Sequence, residues 1–307
     1  MPNILAAVLV LLFSAAAFSA PGKIDSATIE QTIGAKGTYS GKENVFKVSS
    51  PRADIQAQVD GWAMPPFMGL TSYAAFTPTK GNQLMLMGDT VLLQDEVNPA
   101  MDAAFASGLE VTALHNHFFF DQPKVYFMHI GGTGDARKLA TGVKNVWDRI
   151  KEVRAANKEA ADRFAGDPIP AKSSISAVPL EKILGTQGQA SNGMFKAVWG
   201  LTARMHGVRF GKEMGLNTWA AFAGSDENAV VDGDFAMHEN ELQSVLRTMR
   251  KEGVNVVAIH SHMSSEQPRI LFMHYWGRGK AADLAQSLHN VLAAQRAAGE
   301  GKMAHGG

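Results

Sequence analysis

The chain has 307 residues, of which 46% are hydrophobic and 19% charged, a balance typical of a folded globular protein rather than a disordered one. This length is enough for two domains of ordinary size. The 29 basic residues equal the 29 acidic residues, so charge gives no case for nucleic acid or an anionic membrane as a partner. The 307 residues contain no cysteine, which excludes disulfides, thiol nucleophiles and cysteine-based zinc sites.

The first twenty residues predict a cleaved signal peptide. Residues 4–13 form an unbroken apolar run, too short to span a bilayer as a mature helix, and small residues follow at 14–17. Residues 1–3 contain no Lys or Arg, so only the amino terminus supplies positive charge there. The pattern predicts a periplasmic or secreted protein, with a buried or anchoring N-terminal helix as the alternative. No later segment of the sequence is long and apolar enough to span a membrane.

Two stretches of the sequence, 145 residues apart, are near copies of each other. Residues 113–129 read ALHNHFFFDQPKVYFMH and residues 258–274 read AIHSHMSSEQPRILFMH, with eight of seventeen positions identical. The similarity extends upstream, so the sequence predicts two tandem modules. Module one covers residues 27–157 and module two covers residues 178–298. A linker rich in Pro, Gly and Ser occupies 158–177, and 299–307 is expected to be a loose tail.

Each module is predicted to contain elements in the order β-β-β-α-β-β-α. The strand candidates in module one are 45–49, 72–77, 84–93, 110–116 and 124–130. Helices are expected over 98–105 and after Asp135, and over 239–251 and 284–292 in module two. Short turns favour antiparallel pairing. The predicted fold class is therefore α+β, with two pseudo-symmetric modules of mainly antiparallel sheet and helices packed on one face.

The repeated stretch predicts a β-hairpin with a histidine cluster in each module. The first two histidines are two residues apart on a strand, so their side chains share one face, about 6.5–7 Å apart. The third comes from the returning strand and shares that face if His115 lies directly opposite His129, whereas a shift by one residue sends it to the other face. Three histidines plus water form the open coordination of catalytic zinc. The candidate ligands of a divalent metal are His115, His117, His129, His260, His262 and His274.

Carboxylates accompany the histidines at matching positions of the two modules. Asp121 and Glu266, between the hairpin strands, are candidates to add a ligand or to orient a histidine. Glu96 and Glu241 are candidate general acid/bases or metal ligands, and the alternative is a carboxylate placed at a helix N-terminus by the dipole. Asp89 and its counterpart in module two each follow glycine and are interpreted as turn residues. Residues 84–87, Leu-Met-Leu-Met, predict a strand buried on both sides rather than a copper site.

The motifs ALHNH at 113–117, QPRILFMH at 267–274 and GDF at 233–235, inside tandem modules, resemble the LppY/LpqO-type bacterial family, a domain of unknown function (DUF1259). The resemblance covers nearly the whole mature chain and implies an exported location. Some members are lipoproteins, but this chain lacks the cysteine that would carry the lipid. The hairpin also resembles the zinc hairpin of acetolactate decarboxylase and of plant-and-prokaryote-conserved DNA-associated domains, although its third histidine follows Phe-Met instead of Gly-Gly.

These patterns predict an exported protein that binds a divalent metal, zinc above all. If the protein is an enzyme, metal-assisted hydrolysis or lyase chemistry on a small carbonyl or acyl substrate fits best, and a small-molecule ligand is then expected. One alternative is a non-catalytic periplasmic binding or scaffold protein whose histidines are structural or pH-responsive. Another is a metal-storage or metal-resistance protein. Catalysis needs an acid/base beside the metal, and Glu96 and Glu241 are the equivalent carboxylates best placed in sequence for it.

Overall fold

The computed structural model describes residues 23–303, with side chains up to residue 300, so the predicted signal peptide at 1–20 lies outside the described residues. Module one contains strands β1 (Gly37–Ser40), β2 (Val45–Pro51), β3 (Gln58–Val59), β4 (Trp62–Ala63), β5 (Thr71–Pro78), β6 (Leu84–Leu93), β7 (Glu110–His115), β8 (Asp121–Gln122) and β9 (Val125–Gly134). Its helices are α1 (Ser26–Ile33), α2 (Val97–Ala106) and α3 (Ala136–Ala156).

Module two repeats this order of elements, except that the counterpart of β8 is an isolated bridge at Gln267. Its strands are β10 (Gly188–Ser191), β11 (Met194–Gly200), β12 (Ala203–Met205), β13 (Val208–Phe210), β14 (Asn217–Gly224), β15 (Ala229–His238), β16 (Asn255–His260) and β17 (Ile270–Gly279). Its helices are α4 (Ala177–Leu184), α5 (Leu242–Lys251) and α6 (Ala281–Met303). Short 3-10 turns lie at Pro66–Met68, Lys80–Asn82, Lys212–Met214 and Glu239–Glu241.

Both modules contribute to one twelve-stranded sheet. Its order is β1-β2-β5-β6-β9-β7-β16-β17-β15-β14-β11-β10, and neighbouring strands run antiparallel. The second half of this order mirrors the first, and the two halves meet where Leu114 of β7 pairs with Ile259 of β16. The α+β prediction is confirmed, and the modules form one pseudo-symmetric unit.

Side-chain amides extend this central junction. Asn98 of α2 exchanges hydrogen bonds of 2.9 and 3.3 Å with the backbone N–H and C=O of Val256 in β16. Gln243 of α5 does the same with Val111 in β7, at 3.2 and 2.7 Å. The two amides occupy equivalent positions in their modules. Each helix therefore satisfies backbone groups on the inner strand of the other module that the short strand pairing leaves open.

Helices from both modules pack with one face of the sheet to form a large common core. Along β6, Leu84 and Leu86 point into this core and are buried. Met85 and Met87 point to the opposite, open face and are 42% and 60% exposed. The prediction that this strand is buried on both sides is wrong, because within residues 23–303 no layer of helices covers the open face here.

The beginning of each module explains one of the repeated sequence patterns. Helix α1 ends at Gly34 with φ of 79°, and α4 ends at Gly185 with φ of 66°, left-handed conformations that glycine adopts at little cost. The carboxylates of Glu30 and Glu181 then accept hydrogen bonds from the first backbone N–H of β1 and of β10, at 3.0 and 3.1 Å. The spaced glutamate and glycines therefore fix the same helix-to-strand turn twice.

Two smaller hydrophobic cores lie on the open face. In module one the core packs near the three-stranded sheet β4-β3-β8, and in module two near the β12-β13 hairpin. Phe127 and Phe272, the first residues of the FMH motifs, face this side together with the motif histidines, belong to these cores and are buried. Each histidine cluster lies beside one of these cores.

Two regions depart from the expected bounds. Helix α6 continues to Met303, into the segment 299–307 that was expected to be a loose tail, and 304–307 lie outside the described residues. The linker segment 158–177 contains a single bridge, from Ser174 to Ser225 of module two, before α4 begins at its end. Across residues 23–303, none of the helices combines the length and apolar character that a membrane crossing needs.

Candidate metal centre

The register of the hairpin decides where the third histidine lies. In module one, His115 lies opposite Phe127, and Ala113 lies opposite His129, with a bulge at Thr112. The equivalent pairs in module two are His260 with Phe272 and Ala258 with His274. The third histidine is therefore displaced by two residues from the position directly opposite the first. Because side chains alternate with a period of two, this displacement keeps all three on the open face.

The three histidines of module one form a compact cluster. Nε2 of His115 lies 3.1 Å from Nε2 of His129, and the rings of His115 and His117 stack with centroids 5.1 Å apart. His117 lies flat on Phe127, with a centroid separation of 3.3 Å. The strand thus brings together the first and third histidines, and the buried phenylalanine positions the second.

Module two repeats the cluster with a different close pair. Nε2 of His260 lies 3.1 Å from Nε2 of His262, and the rings of His260 and His274 stack at 4.7 Å. His262 lies flat on Phe272 at 3.5 Å, as His117 does in module one. All six predicted histidines are therefore brought into two groups of three.

An aspartate from the neighbouring strand joins each cluster. Asp89 lies opposite His129, and Asp234 lies opposite His274. Asp234 is 3% exposed, and its Oδ2 lies 3.2 Å from Nε2 of His262. Asp89 is less closely engaged, with Oδ1 4.0 Å from Nε2 of His129.

The interpretation of these aspartates as turn residues is wrong, because both lie inside long strands, β6 and β15. The sequence signal that marks them is the Gly-Asp pair, which recurs at equivalent positions of the two modules inside an otherwise mainly apolar segment. The pairing of β6 with β9, and of β15 with β17, is a contact between distant segments that the pattern alone does not specify.

The module-two group has the geometry of a metal site. Ligand atoms of Asp234, His260 and His274 all lie within 4.8 Å of one another, so this group could hold a metal ion. Nδ1 of His274 lies 3.2 Å from the carbonyl oxygen of Gly233, so an Nδ1–H donor leaves Nε2 free for a ligand. Among residues 23–303, the buried Oδ1 of Asp234 and Nδ1 of His260 have no hydrogen-bond partner.

The protonation of the clusters also suits a metal. Burial lowers the pKa of His260, Asp234 opposes this shift, and neighbouring His274 and His262 reinforce it. Burial likewise lowers the pKa of His117, with the other two histidines of module one reinforcing the shift and Asp89 opposing it. Neutral imidazole is the form that binds a metal, so both clusters contain a histidine that is ready to bind near neutral pH.

Glu96, a predicted acid/base, is fully buried and paired elsewhere. Its carboxylate contacts the guanidinium groups of Arg52 at 2.8 Å and Arg154 at 2.7 Å, and it accepts a hydrogen bond from the backbone N–H of Leu93. Within the described residues, its hydrogen bonds and ion pairs go to Arg52, Arg154 and Leu93, and to none of the clustered histidines. The carboxylate joins the residue after β2, the end of β6 and α3, and its role as an acid/base stays a prediction.

Glu241 has a related position with different partners. It accepts hydrogen bonds from the backbone N–H of His238 at 3.0 Å and from Gln295 at 2.8 Å, and its Oε1 lies 3.0 Å from Nδ1 of His238. In the part of the chain that the structure describes, none of these bonds involves a clustered histidine. Its catalytic role likewise stays a prediction, and the observed bonds cap the turn before α5.

Asp121 and Glu266 hold the returning strands of the hairpins. Asp121 accepts a 2.7 Å hydrogen bond from the N–H of Val125, and Glu266 accepts one of 3.0 Å from the N–H of Ile270. Both carboxylates are buried. Because these two N–H groups belong to the first residues of β9 and β17, the carboxylates fix where the strand carrying the third histidine begins. Any effect on a metal would pass through the hairpin backbone.

Together, the mirrored sheet and the two histidine–aspartate groups define a duplicated α+β protein with a candidate metal centre in module two and a matching histidine cluster in module one. The chain belongs to the family described as Domain of Unknown Function (DUF1259), whose model matches residues 27–149 and 178–294, one match for each module. The family resemblance read from the motifs, with two tandem copies, is confirmed.

Comparison with curated proteins finds no match. One solved structure that is similar is that of a trimeric bacterial microcompartment shell protein, PduB, at 11% identity over 84% of this chain and 89% of that chain. The TM-score of 0.20 means that this likeness carries no argument about fold or function.

Proposed function

We propose that the protein is an exported metal-binding protein that holds one divalent ion, zinc by preference, in each module. The observation that carries this proposal is the convergence of Asp234, His260 and His274 within 4.8 Å on the open face of the sheet. A buried carboxylate oxygen without a hydrogen-bond partner among the described residues is costly unless a cation or a donor compensates it. A bound cation accounts for that oxygen and for the crowding of the imidazole nitrogens.

The ligand chemistry favours zinc. Imidazole nitrogen and carboxylate oxygen bind zinc at about 2.0–2.2 Å, which places tetrahedral ligands about 3.3–3.6 Å from one another. The separations of 3.1 Å from His260 to His262 and 3.2 Å from His262 to Asp234 are close to this spacing. Small rotations of the side chains would therefore complete a three-histidine, one-aspartate site.

Module one supports the same proposal with one looser ligand. Nε2 of His115 and Nε2 of His129 lie 3.1 Å apart and the ring of His117 stacks on that of His115, but Asp89 stays 4.0 Å from His129. Three histidines with a distant carboxylate leave a coordination position for water or a substrate, which is the arrangement of a catalytic rather than a structural zinc site.

A cavity favours metal-assisted hydrolysis or lyase chemistry in module one as a second candidate. The cavity has a volume of about 260 Å³, and its lining includes His129, Thr112 and Glu110. A small carbonyl or acyl compound would fit such a space beside the metal. Glu110 lies opposite Gly131 and lines this cavity, so it is better placed for proton transfer than Glu96.

The metal proposal is tested by elemental analysis of the purified mature chain. About two zinc ions per chain are expected under metal-replete conditions, and His115→Ala and His260→Ala should each remove about one. His289→Ala is the matched control, because this residue lies on α6 outside both clusters. Wild-type protein that binds no divalent ion under these conditions would contradict the proposal.

Export is proposed from the N-terminal sequence pattern and has its own test. Sequencing the N-terminus of the chain recovered from the periplasm or medium should show cleavage near residue 17–19. Recovery of the intact chain from the cytoplasm alone would contradict export without bearing on metal binding.

A further inference from the structure

We propose that module one contains a second kind of metal site, a soft-metal site for Cu(I) formed by Met85, Met87 and His129. This site shares His129 with the proposed divalent centre of module one but differs from it in chemistry, since it depends on two thioethers that module two lacks. The open face of β6 and β9 positions all three side chains.

The two methionines share one face of β6. They are two residues apart, so their Cα atoms lie about 7 Å apart with side chains parallel. Met85 lies opposite Thr133 and Met87 opposite Gly131, and His129 is the next open-face residue on β9. Met87 and His129 are therefore diagonal neighbours, a separation that long side chains bridge.

A groove runs between these side chains. Gly131 has no side chain to fill the space beside Met87, and the resulting cavity of about 260 Å³ is lined by both methionines and His129. The neighbour on the other side of Met87 is Ala75, which is also small. Both thioethers thus reach a shared, solvent-accessible space that leads to the histidine cluster.

The chemistry of this set selects a soft ion. Thioether sulfur is a neutral, polarisable ligand that binds Cu(I) well and hard divalent ions poorly. Methionine has three rotatable bonds, so the two sulfurs can converge on one ion although their Cα atoms are fixed on the strand. Two thioethers and one imidazole give Cu(I) a neutral three-ligand site. An apolar packing role explains the pair less well, because both side chains are substantially exposed.

Module two offers a natural contrast. Asp89 and Asp234 occupy equivalent positions, so the counterparts of Met85 and Met87 are Val230 and Asp232. Trp276 lies opposite Asp232, where module one has Gly131 opposite Met87. Module two therefore has neither the thioethers nor the open groove, and Cu(I) should bind through sulfur in module one alone.

The test is an anaerobic titration of the purified mature chain with Cu(I), in competition with bicinchoninate. Wild type is expected to bind Cu(I) at least tenfold more tightly than Met85→Leu/Met87→Leu, a change that nearly preserves volume. The control is Met194→Leu/Met214→Leu, which alters two methionines of module two that are also exposed. X-ray absorption should show sulfur ligands on copper in wild type and in the control, but not in the Met85/Met87 variant.

Equal Cu(I) affinity and equal sulfur scattering in the Met85→Leu/Met87→Leu protein would overturn this proposal. Copper bound through nitrogen alone in wild type would also overturn it, since histidines would then suffice. Zinc content is measured on the same preparations before any copper is added. The proposed divalent function fails if wild type lacks zinc, whereas the Cu(I) site fails through the copper measurements, so the two failures are distinguishable.

Discussion

Module one and module two build the same hairpin but support it with different residues. The buried Glu96 of module one is neutralised by Arg52 and Arg154, whereas Glu241 of module two is bound by neutral Gln295 and by His238. The aspartate of module two lies within 3.2 Å of a histidine, and that of module one stays at 4.0 Å.

The open face beside each cluster also differs. Module one has Met87 next to Gly131, and module two has Asp232 next to Trp276. The loop before the returning strand exposes Phe119 and Phe120 in module one, and its counterpart contains Ser264 and Ser265. What both modules keep is the histidine–aspartate group and the carboxylate that starts the returning strand. The comparison indicates that metal binding is the shared task and that the surroundings serve different ligands.

The largest change in the free energy of unfolding is expected when an arginine of the buried ion pairs in module one is replaced by the residue that module two has there. Leu201 occupies the position equivalent to Arg52, because both donate a backbone hydrogen bond to the leucine before the next strand. Arg52→Leu leaves the buried Glu96 with a single arginine and should reduce the free energy of unfolding by about 3 kcal/mol. Urea denaturation measures this loss. Arg149→Leu, at an exposed ion pair on α3, should change it by about 0.5 kcal/mol or less, and equal effects would contradict the assignment.

The second largest effect concerns the glycine that precedes the cluster aspartate in each module. Replacing it with alanine should cost more stability in module two than in module one. The hydroxyl of Tyr275 lies over Gly233 and donates a hydrogen bond to the carbonyl oxygen of Trp219. A Cβ added to Gly233 would lie 2.1 Å from this hydroxyl, whereas a Cβ added to Gly88 would meet its nearest atom at 2.8 Å. Gly233→Ala should cost about 3 kcal/mol and Gly88→Ala about 1–2 kcal/mol. Thermal and urea unfolding of the two variants compare these costs. A smaller loss for Gly233→Ala than for Gly88→Ala would show that module two is the more adaptable half.

Replacing the cluster aspartates should lower the zinc affinity of module two more than that of module one. Asp234→Asn is expected to weaken zinc binding in module two about 100-fold, because it removes the close anionic ligand, and Asp89→Asn should weaken module one about tenfold. Competition with a chromogenic chelator, with the other module silenced by His115→Ala or His260→Ala, separates the sites. An equal loss in both modules would mean that Asp89 moves into full contact when metal binds.

The smallest effect is expected from the carboxylate that holds the returning strand of the hairpin, and it depends on pH. Burial alone would raise the pKa of Asp121, but the N–H of Val125 and the ammonium of Lys124 outweigh it and hold the pKa below its ordinary value. A carboxyl with a lowered folded-state pKa stabilises the protein above its unfolded pKa, near 3.9, and loses this contribution as pH falls through the folded pKa.

Wild type should therefore exceed Asp121→Asn in stability by about 1 kcal/mol at pH 7, and the difference should shrink below about pH 4. Urea unfolding as a function of pH measures it. Glu266→Gln should have a smaller effect, since the neighbouring Arg269 bonds Ser261 instead. A constant difference from pH 7 to pH 2 would contradict a role for the charge.

The sequence was informative where contacts are local. The repeat, the FMH strand and the helix begun by Asp135, whose carboxylate accepts from the N–H of Lys138, follow from short-range patterns. The sequence left the face of the third histidine dependent on the register of the hairpin. The observed register pairs His115 with Phe127, two residues from His129, and this even displacement keeps the histidines on one face.

Contacts between distant segments were the part that sequence could not supply. Asp89 and Asp234 reach the clusters only because β6 pairs with β9 and β15 with β17. Met85 and Met87 alternate with leucine in a way that fits burial on both sides. Their face is exposed because the described part of the chain places its helices on the other side of the sheet. Glu96 lies near a helix start as expected, but its arginine partners come from the residue after β2 and from α3.

The junction of β7 with β16 has a consequence for the history of such a chain. A lone module would expose its inner strand, with unpaired backbone groups that invite another strand. A second copy of that module could cover them through the same two-fold arrangement, with Asn98 reaching across in one direction and its counterpart Gln243 in the other. Tandem fusion keeps the two halves together at high effective concentration. It also frees each half to change without its partner changing, which a symmetric dimer of identical subunits cannot do.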